Sequence, residues 1–224
     1  MIELQPLWLT LKLAFVTTII LFFISVPLAW WLAYKKNNFK TVIEAVVSMP
    51  LVLPPSVIGF YLLLAFSPSH AFGNFLEQYF DVRLAFSFPG LVIASVIYSL
   101  PFMVHPIQSG FISLSPNLRE AAYSLGKTKW QTLFYVLLPN IKSSLLSGII
   151  LTFAHTIGEF GVVLMIGGNI PGQTKVASIA IYDEVEMMNY NTANTYAAIL
   201  FIVSFIILLT VYLLNRRFDK IKLL

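Results

Sequence analysis

The sequence predicts an all-α polytopic membrane protein of five transmembrane helices, with its N-terminus outside and its C-terminus cytoplasmic. Three observations carry this. Of 224 residues, 58% are hydrophobic and 11% charged, with a mean hydropathy of +0.83; a soluble domain is about a quarter charged. Five long apolar stretches, 13–34, 45–66, 88–111, 143–166 and 196–214, each reach or approach the roughly 20 residues that a helix needs to cross about 30 Å of hydrocarbon. The basic residues also alternate between the two sides. Lys35, Lys36 and Lys40 follow the first stretch, Arg119, Lys127, Lys129 and Lys142 lie between the third and fourth, and Arg216, Arg217, Lys220 and Lys222 follow the fifth. These eleven of the 14 Lys and Arg residues put those three regions in the cytoplasm by the positive-inside rule.

The first span is read as a retained helix, because its basic cluster comes after the apolar run, opposite to a cleaved signal peptide. Trp8, Trp30, Trp31 and Tyr34 suit the membrane interfaces, and Lys12 near the outer end either attracts an anion or snorkels to the headgroups. Pro50, Pro54 and Pro55 interrupt the second span. They predict a kinked helix whose freed carbonyls must face protein or a wet cavity. The third span, 88–111, is followed by a charged stretch of helix signals.

Within that loop, 115–139, Ser115 is a good N-cap and Pro116 suits the first helical position. Leu118, Ala121, Ala122 and Leu125 are spaced to share one side of a short amphipathic helix, with Arg119 on another. Gly126 fits a left-handed stop, and Thr128 with Gln131 reads as a capping box for a second short helix ending before Pro139. The loop is therefore helix, turn, helix. Glu120 is placed to fix its turn through backbone N–H groups, and Ala121 and Ala122 leave room for close approach by another protein. Gly126-Lys127-Thr128 mimics the end of a phosphate-binding loop, but Ala121 stands where that pattern needs glycine.

In the fourth span Glu159 is the one acidic residue well inside an apolar stretch, where a carboxylate costs about 2.5–3.5 kcal/mol on insertion scales. His155 lies one helical turn earlier, with Thr152 and Thr156 close by, so a polar stripe faces the bundle interior. Two readings stand: the stripe lines a translocation path or gate, or Glu159 caps a broken helix or ties two helices together. Beyond it, Asn169-Ile170-Pro171-Gly172 is turn chemistry on the outer side. The fifth span, 196–214, closes the set.

Other chemistries are poorly served. Three separated histidines (His70, His105, His155), no cysteine and no paired carboxylates at a convincing spacing argue against metal, thiol or acid–base catalysis. The net charge of +4 belongs to topology and does not call for nucleic acid.

Glu120-Ala121-Ala122, Gly126, Val136 and Leu138-Pro139 resemble, in residue and spacing, the coupling loop of importer-type ABC-transporter permeases. Ser143 departs from a proline that many members carry there. The resemblance implies a type I importer fold, one permease domain over 1–224, and docking of Glu120, Ala121, Ala122, Gly126, Leu138 and Pro139 on a cytoplasmic ATPase. Gly158-Glu159-Phe160-Gly161 with the segment 167–174 is similar to the molybdate branch of oxyanion permeases, with tungstate and sulfate as the alternatives. It further implies a homodimer in the cell membrane, two ATPase subunits holding ATP and Mg, an extracytoplasmic oxyanion-binding protein, and no cofactor in this chain. A rival of another class is an ion-coupled secondary transporter using His155 and Glu159.

Overall fold

The computed structural model describes residues 3–35 and 37–221, with side chains through 213. Lys36 and Lys222 of the basic clusters lie outside the described residues, as do the side chains of Arg216, Arg217 and Lys220.

All regular structure among the described residues is helical. Helix α1 (Gln5–Tyr34) starts well before the first predicted span. Pro6 sits in its first turn, where a missing N–H is harmless. Helix α2 (Asn38–Val52) is capped by Asn37, whose Oδ1 accepts from the Lys40 N–H at 3.0 Å. Helix α3 (Pro55–Phe66) follows after a bend of 112°. The expected kink in span two is thus a complete break. Pro54 and Pro55 supply no N–H to continue α2, and Pro55 restarts a helix from its first position.

Two short helices lie where only connections were expected. Helix α4 (Ala71–Phe80) carries exposed Phe72, Phe75, Tyr79 and Phe80 and stops at Asp81, whose φ of 52° is left-handed. Helix α5 (Phe88–Ser113) is capped by Ser87, which accepts from the Gly90 N–H, and holds Pro101 and Pro106 internally. The loop contributes α6 (Pro116–Ser124), α7 (Lys129–Thr132), a π-helical turn (Leu133–Leu137) and α8 (Leu138–Asn140). After a 79° bend comes α9 (Lys142–Gly158), then α10 (Gly161–Gly167), the second unexpected short helix α11 (Ala177–Glu186) and α12 (Tyr190–Ile221). The fourth predicted span therefore also divides, at Glu159 and Phe160.

Three helices, α1, α5 and α12 through Leu213, are individually long and apolar enough to cross a membrane; counting two bent pairs, α2 with α3 and the segment Lys129–Asn140 with α9, as one span each gives up to five. Helix α5 is the spine, packed on α1, α9, α10 and α2. One core joins the N-terminal halves of α1 and α5 to α3, α10 and α11, through Leu13, Leu91, Val163 and Ile179. A second gathers Leu21, Leu32, Met103, Phe111, Leu133 and Leu137 around the other end of α1 and α5 and the π-helical turn. Thr10 stitches the first core, accepting from the Ala177 N–H at 2.8 Å at the start of α11. Through Leu213, few residues of α12 are buried within the chain, Ala193 and Tyr196 among them.

Candidate functional site

The loop after α5 is built as two braced halves. Pro116 opens α6, but Ser115 makes no side-chain cap bond, a correction to the sequence reading. The stop is as expected. The Gly126 N–H donates to the Tyr123 carbonyl at 2.9 Å and the Lys127 N–H to the Ala122 carbonyl at 3.1 Å, while Gly126 sits at φ 75°. This is a Schellman-like closure, in which a left-handed residue lets two amides satisfy terminal carbonyls. The capping box is also present: Gln131 N–H donates to Thr128 Oγ1 at 3.3 Å, and Thr128 N–H to Gln131 Oε1 at 2.9 Å.

The second helix does not end before Pro139. It widens into the π-helical turn and continues to Asn140, with the Asn140 side chain donating to the Val136 carbonyl at 2.7 Å. A π turn shifts the hydrogen-bond ladder by one residue, which accommodates a proline lacking an N–H. Leu133 and Leu137 are fully buried and anchor this half to Phe111 and Leu32. Arg119 holds the other half, its guanidinium 4.5 Å from the centre of the Tyr34 ring, and Tyr34 donates to the Phe111 carbonyl at 3.2 Å.

The face left over is the functional candidate. Glu120, Ala121 and Gly126 are exposed, and Leu125 is 81% exposed, not on the packed side with Leu118. Ala122 is only 4% exposed, so it closes the loop internally while Ala121 remains available. The turn is fixed by backbone bonds, where the sequence reading assigned that role to the Glu120 side chain. Leu138 is half-buried and Pro139 exposed. Trp130, Phe134 and Tyr135, which the sequence reading did not single out, are also exposed on the loop. Their aromatic identity within a charged loop was the available signal.

The second candidate lies where both broken spans are interrupted. A cavity of about 580 Å³ is lined by Pro55, Ser56, Tyr98, His155, Gly158 and Glu159, among others. The helices meet closely here: a Cβ on Gly161 would lie 2.6 Å from Pro55 Cβ, and one on Gly59 2.9 Å from Met165 Cβ. Glycine at both positions permits α3 and α10 to cross backbone to backbone.

Of the four polar residues predicted on α9 and its exit, His155 and Glu159 reach this cavity. Thr152 and Thr156 turn elsewhere. Thr156 Oγ1 lies 3.2 Å from Ser99 Oγ on α5 and donates to the Thr152 carbonyl at 2.9 Å. Ser99 Oγ is also 3.0 Å from His155 Nδ1, and the imidazole stacks on Phe102 with centroids 3.9 Å apart. Glu159 is 5% exposed and extended, with Oε1 accepting from the Val162 N–H at 2.7 Å and the Phe160 and Val163 amides also directed at the carboxylate. Three amides at the start of α10 thus compensate a carboxylate taken out of water. His155 and Glu159 share the cavity wall with no hydrogen bond between them among the described residues.

Ser99, Tyr98, Phe102 and Ser56 escaped the sequence reading, since their approach to α9 is purely tertiary. A second polar seam was also missed. Gln108 Nε2 donates to Glu44 Oε1 at 2.6 Å and Ser48 Oγ lies 3.2 Å from His105 Nε2, joining α2 to α5. Its helical spacing, Glu44 with Ser48 and His105 with Gln108, was legible. Beyond α10, Thr174 closes the 167–174 turn by donating to the Gly167 carbonyl at 2.6 Å, and Lys175 pairs with Asp183 at 2.6 Å. Lys12 lies over the Phe88 ring at 4.7 Å. Among the described residues, no cluster of three His, Asp or Glu side chains could hold a metal ion.

The family model for the inner-membrane component of binding-protein-dependent transport systems matches residues 25–221. The chain is 45% identical to the molybdenum transport system permease of Azotobacter vinelandii, over 96% of this chain and 95% of that protein. It is 32% identical to a sulfate transport system permease of Escherichia coli strain K12, over 94% and 76%. A putative molybdenum permease of Bacillus subtilis strain 168 is likewise 32% identical, over 91% and 89%. In fold it is similar to a chain of a bacterial ABC transporter involved in import of the polysaccharide alginate (TM-score 0.79, 19% identity, 96% of this chain and 79% of that one). It is similar also to one of the MetNI methionine ABC transporter in an inward-facing conformation (TM-score 0.75, 17% identity, 96% and 95%).

Proposed function

The chain belongs to the inner-membrane permease family of binding-protein-dependent transport systems, and from that premise we propose that it carries molybdate across the membrane in an ATP-driven importer. It is a multi-pass membrane permease subunit and not an enzyme. The observation that carries the cargo is the nearly full-length likeness to the Azotobacter molybdenum permease. The sulfate permease relatives support sulfate as the second reading, and tungstate, a tetrahedral dianion like molybdate, is the third.

In this reading residues 1–224 form one transmembrane domain with five spans. Span two is the bent pair α2–α3, span four is α9 continued through α10, the N-terminus is outside and the C-terminus cytoplasmic. The positions of Lys35, Lys40, Arg119, Lys127, Lys129 and Lys142 support that direction. Two copies assemble with a path along their shared interface, and an extracytoplasmic binding protein delivers the oxyanion. Two ATPase subunits, holding ATP and Mg, dock on the two 115–139 loops. Glu120, Ala121, Ala122, Gly126, Leu138 and Pro139 form or support the docking surface. Exposure of Glu120, Ala121 and Gly126 on a loop braced to α1 and α5 supports this, because a rigid lever transmits ATPase motion into the bundle.

Thr152, His155, Thr156 and Glu159 are assigned to the path or its gate with a division of labour. His155 and Glu159 face the cavity, and Thr152 and Thr156 tie α9 to α5. The ion-coupled alternative draws less support, since His155 and Glu159 bond to Ser99 and to the α10 amides instead of to each other. Reconstitution with the ATPase subunit and binding protein tests the reading. Stimulation of ATP hydrolysis by molybdate and tungstate beyond sulfate is expected. Stimulation by sulfate alone would transfer the assignment to the sulfate branch, and proton-driven uptake by this chain alone would overturn it.

A further inference from the structure

A cavity of about 410 Å³ opens between the end of α1 and the 115–139 loop. Its walls include Trp30, Trp31 and Tyr34 from α1, Lys35 just beyond it, Arg119 from α6 and Lys129 from α7. Three cations meet there with no acidic residue in the lining. Neither Lys35 nor Lys129 has an ion-pair partner among the described residues, and both are exposed. Arg119 is held over the Tyr34 ring, which fixes its charge at the cavity edge.

The cavity also has depth. Pro27, nearly two helical turns before Tyr34, belongs to its lining, so the pocket runs from the cationic rim into the apolar part of α1. Tryptophan and tyrosine at this level mark a membrane–water interface. A small aqueous anion would use the rim and leave the aromatic wall wet, whereas a lipid offers a phosphate to the rim and glycerol and acyl carbons to the wall. Basic pockets between spans on the cytoplasmic side are suited to such headgroups.

We propose that this cavity binds the phosphate headgroup of an anionic phospholipid, bridging the first span to the loop that receives the ATPase. The bridge would join α1, α6 and α7 around one phosphate. The inference takes its leaflet from the proposed topology, but its readout needs neither cargo nor ATPase, so it can fail while the transport reading stands.

The test uses the full chain in phosphatidylcholine nanodiscs with and without phosphatidylglycerol, and counts co-released phosphatidylglycerol by native mass spectrometry. Lys35→Gln and Lys129→Gln alter exposed side chains and should each lower retention roughly fivefold, the effect of about one interfacial cation. Arg119→Gln should do at least as much. Lys142→Gln, a same-side cation outside the cavity, should leave retention unchanged. Equal losses from Lys142→Gln would reduce the effect to general surface charge and overturn the site. Displacement of the lipid by millimolar inorganic phosphate would make it a soluble-anion site and overturn the lipid assignment. Unchanged retention in all the cavity variants would likewise overturn the proposal.

Discussion

Gly126 shows how one backbone angle sets the shape of the 115–139 loop. At φ 75°, with nothing within 4 Å of the place a Cβ would occupy, any side chain there meets a backbone cost and no collision. Gly126→Ala should therefore cost about 1–2 kcal/mol locally, the penalty of the left-handed region for an L-residue. Gly126→Asn, which tolerates that region, should cost less. With the bundle intact by size-exclusion chromatography, cargo-stimulated ATP hydrolysis should fall in the order Gly, Asn, Ala. Equal stimulation in all three would separate the turn from coupling. The residue type and its place after Leu125 made this stop legible in the sequence. The 81% exposure of Leu125 was not, because helical spacing alone does not say which side of a loop helix meets the bundle.

At the scale of elements, the decisive features are the two interruptions, and the sequence revealed them unequally. Proline chemistry marked the α2–α3 break, although a 112° bend exceeds the kink that prolines alone specify. The α9–α10 break has no proline. It rests on Glu159, whose carboxylate replaces the missing helical carbonyls as acceptor for the first amides of α10. The geometry bears on both sequence readings of Glu159, as its carboxylate accepts from the Val162 amide at the head of α10 and its side chain lines the cavity. Substitution separates them. Glu159→Gln keeps an oxygen for the Val162 amide, so folding should be nearly retained, whereas Glu159→Ala should lose about 0.5–2 kcal/mol, the worth of a helix N-cap. Thermal unfolding in detergent reads the cap, and uptake by Glu159→Gln reads the charge. Normal uptake by Glu159→Gln would leave the carboxylate a purely structural role, and normal stability of Glu159→Ala would remove the cap. The short helices α4 and α11 and the Ser99–His155 contact stayed hidden for a common reason. Each depends on which helices become neighbours, and hydropathy does not encode neighbours.

On the scale of the whole molecule, apolar surface and polar cavity must have different surroundings. Helix α12 leaves Phe201, Ile202, Phe205 and Ile206 exposed, as lipid contact or a second copy would permit. The His155–Glu159 cavity opens at the surface of a single chain, yet polar groups at that depth need protein or water beside them. The proposed path along the interface of two copies would reconcile the two surfaces. The absence of cysteine from the sequence makes this measurable. Gly158 lines the cavity with open space around its Cβ position, so Gly158→Cys introduces a thiol without a clash. In membranes it should react with a charged, water-soluble thiol reagent and yield a cross-linked dimer with a short bifunctional one. Phe201→Cys on α12 should resist the charged reagent, because a thiol in hydrocarbon neither ionises nor meets a water-soluble reagent. Protection of Gly158→Cys by a high concentration of molybdate in the assembled transporter would place the cargo's route through the same space. Equal labelling at both positions, or a strictly monomeric product from Gly158→Cys, would put the path somewhere other than the interface between copies.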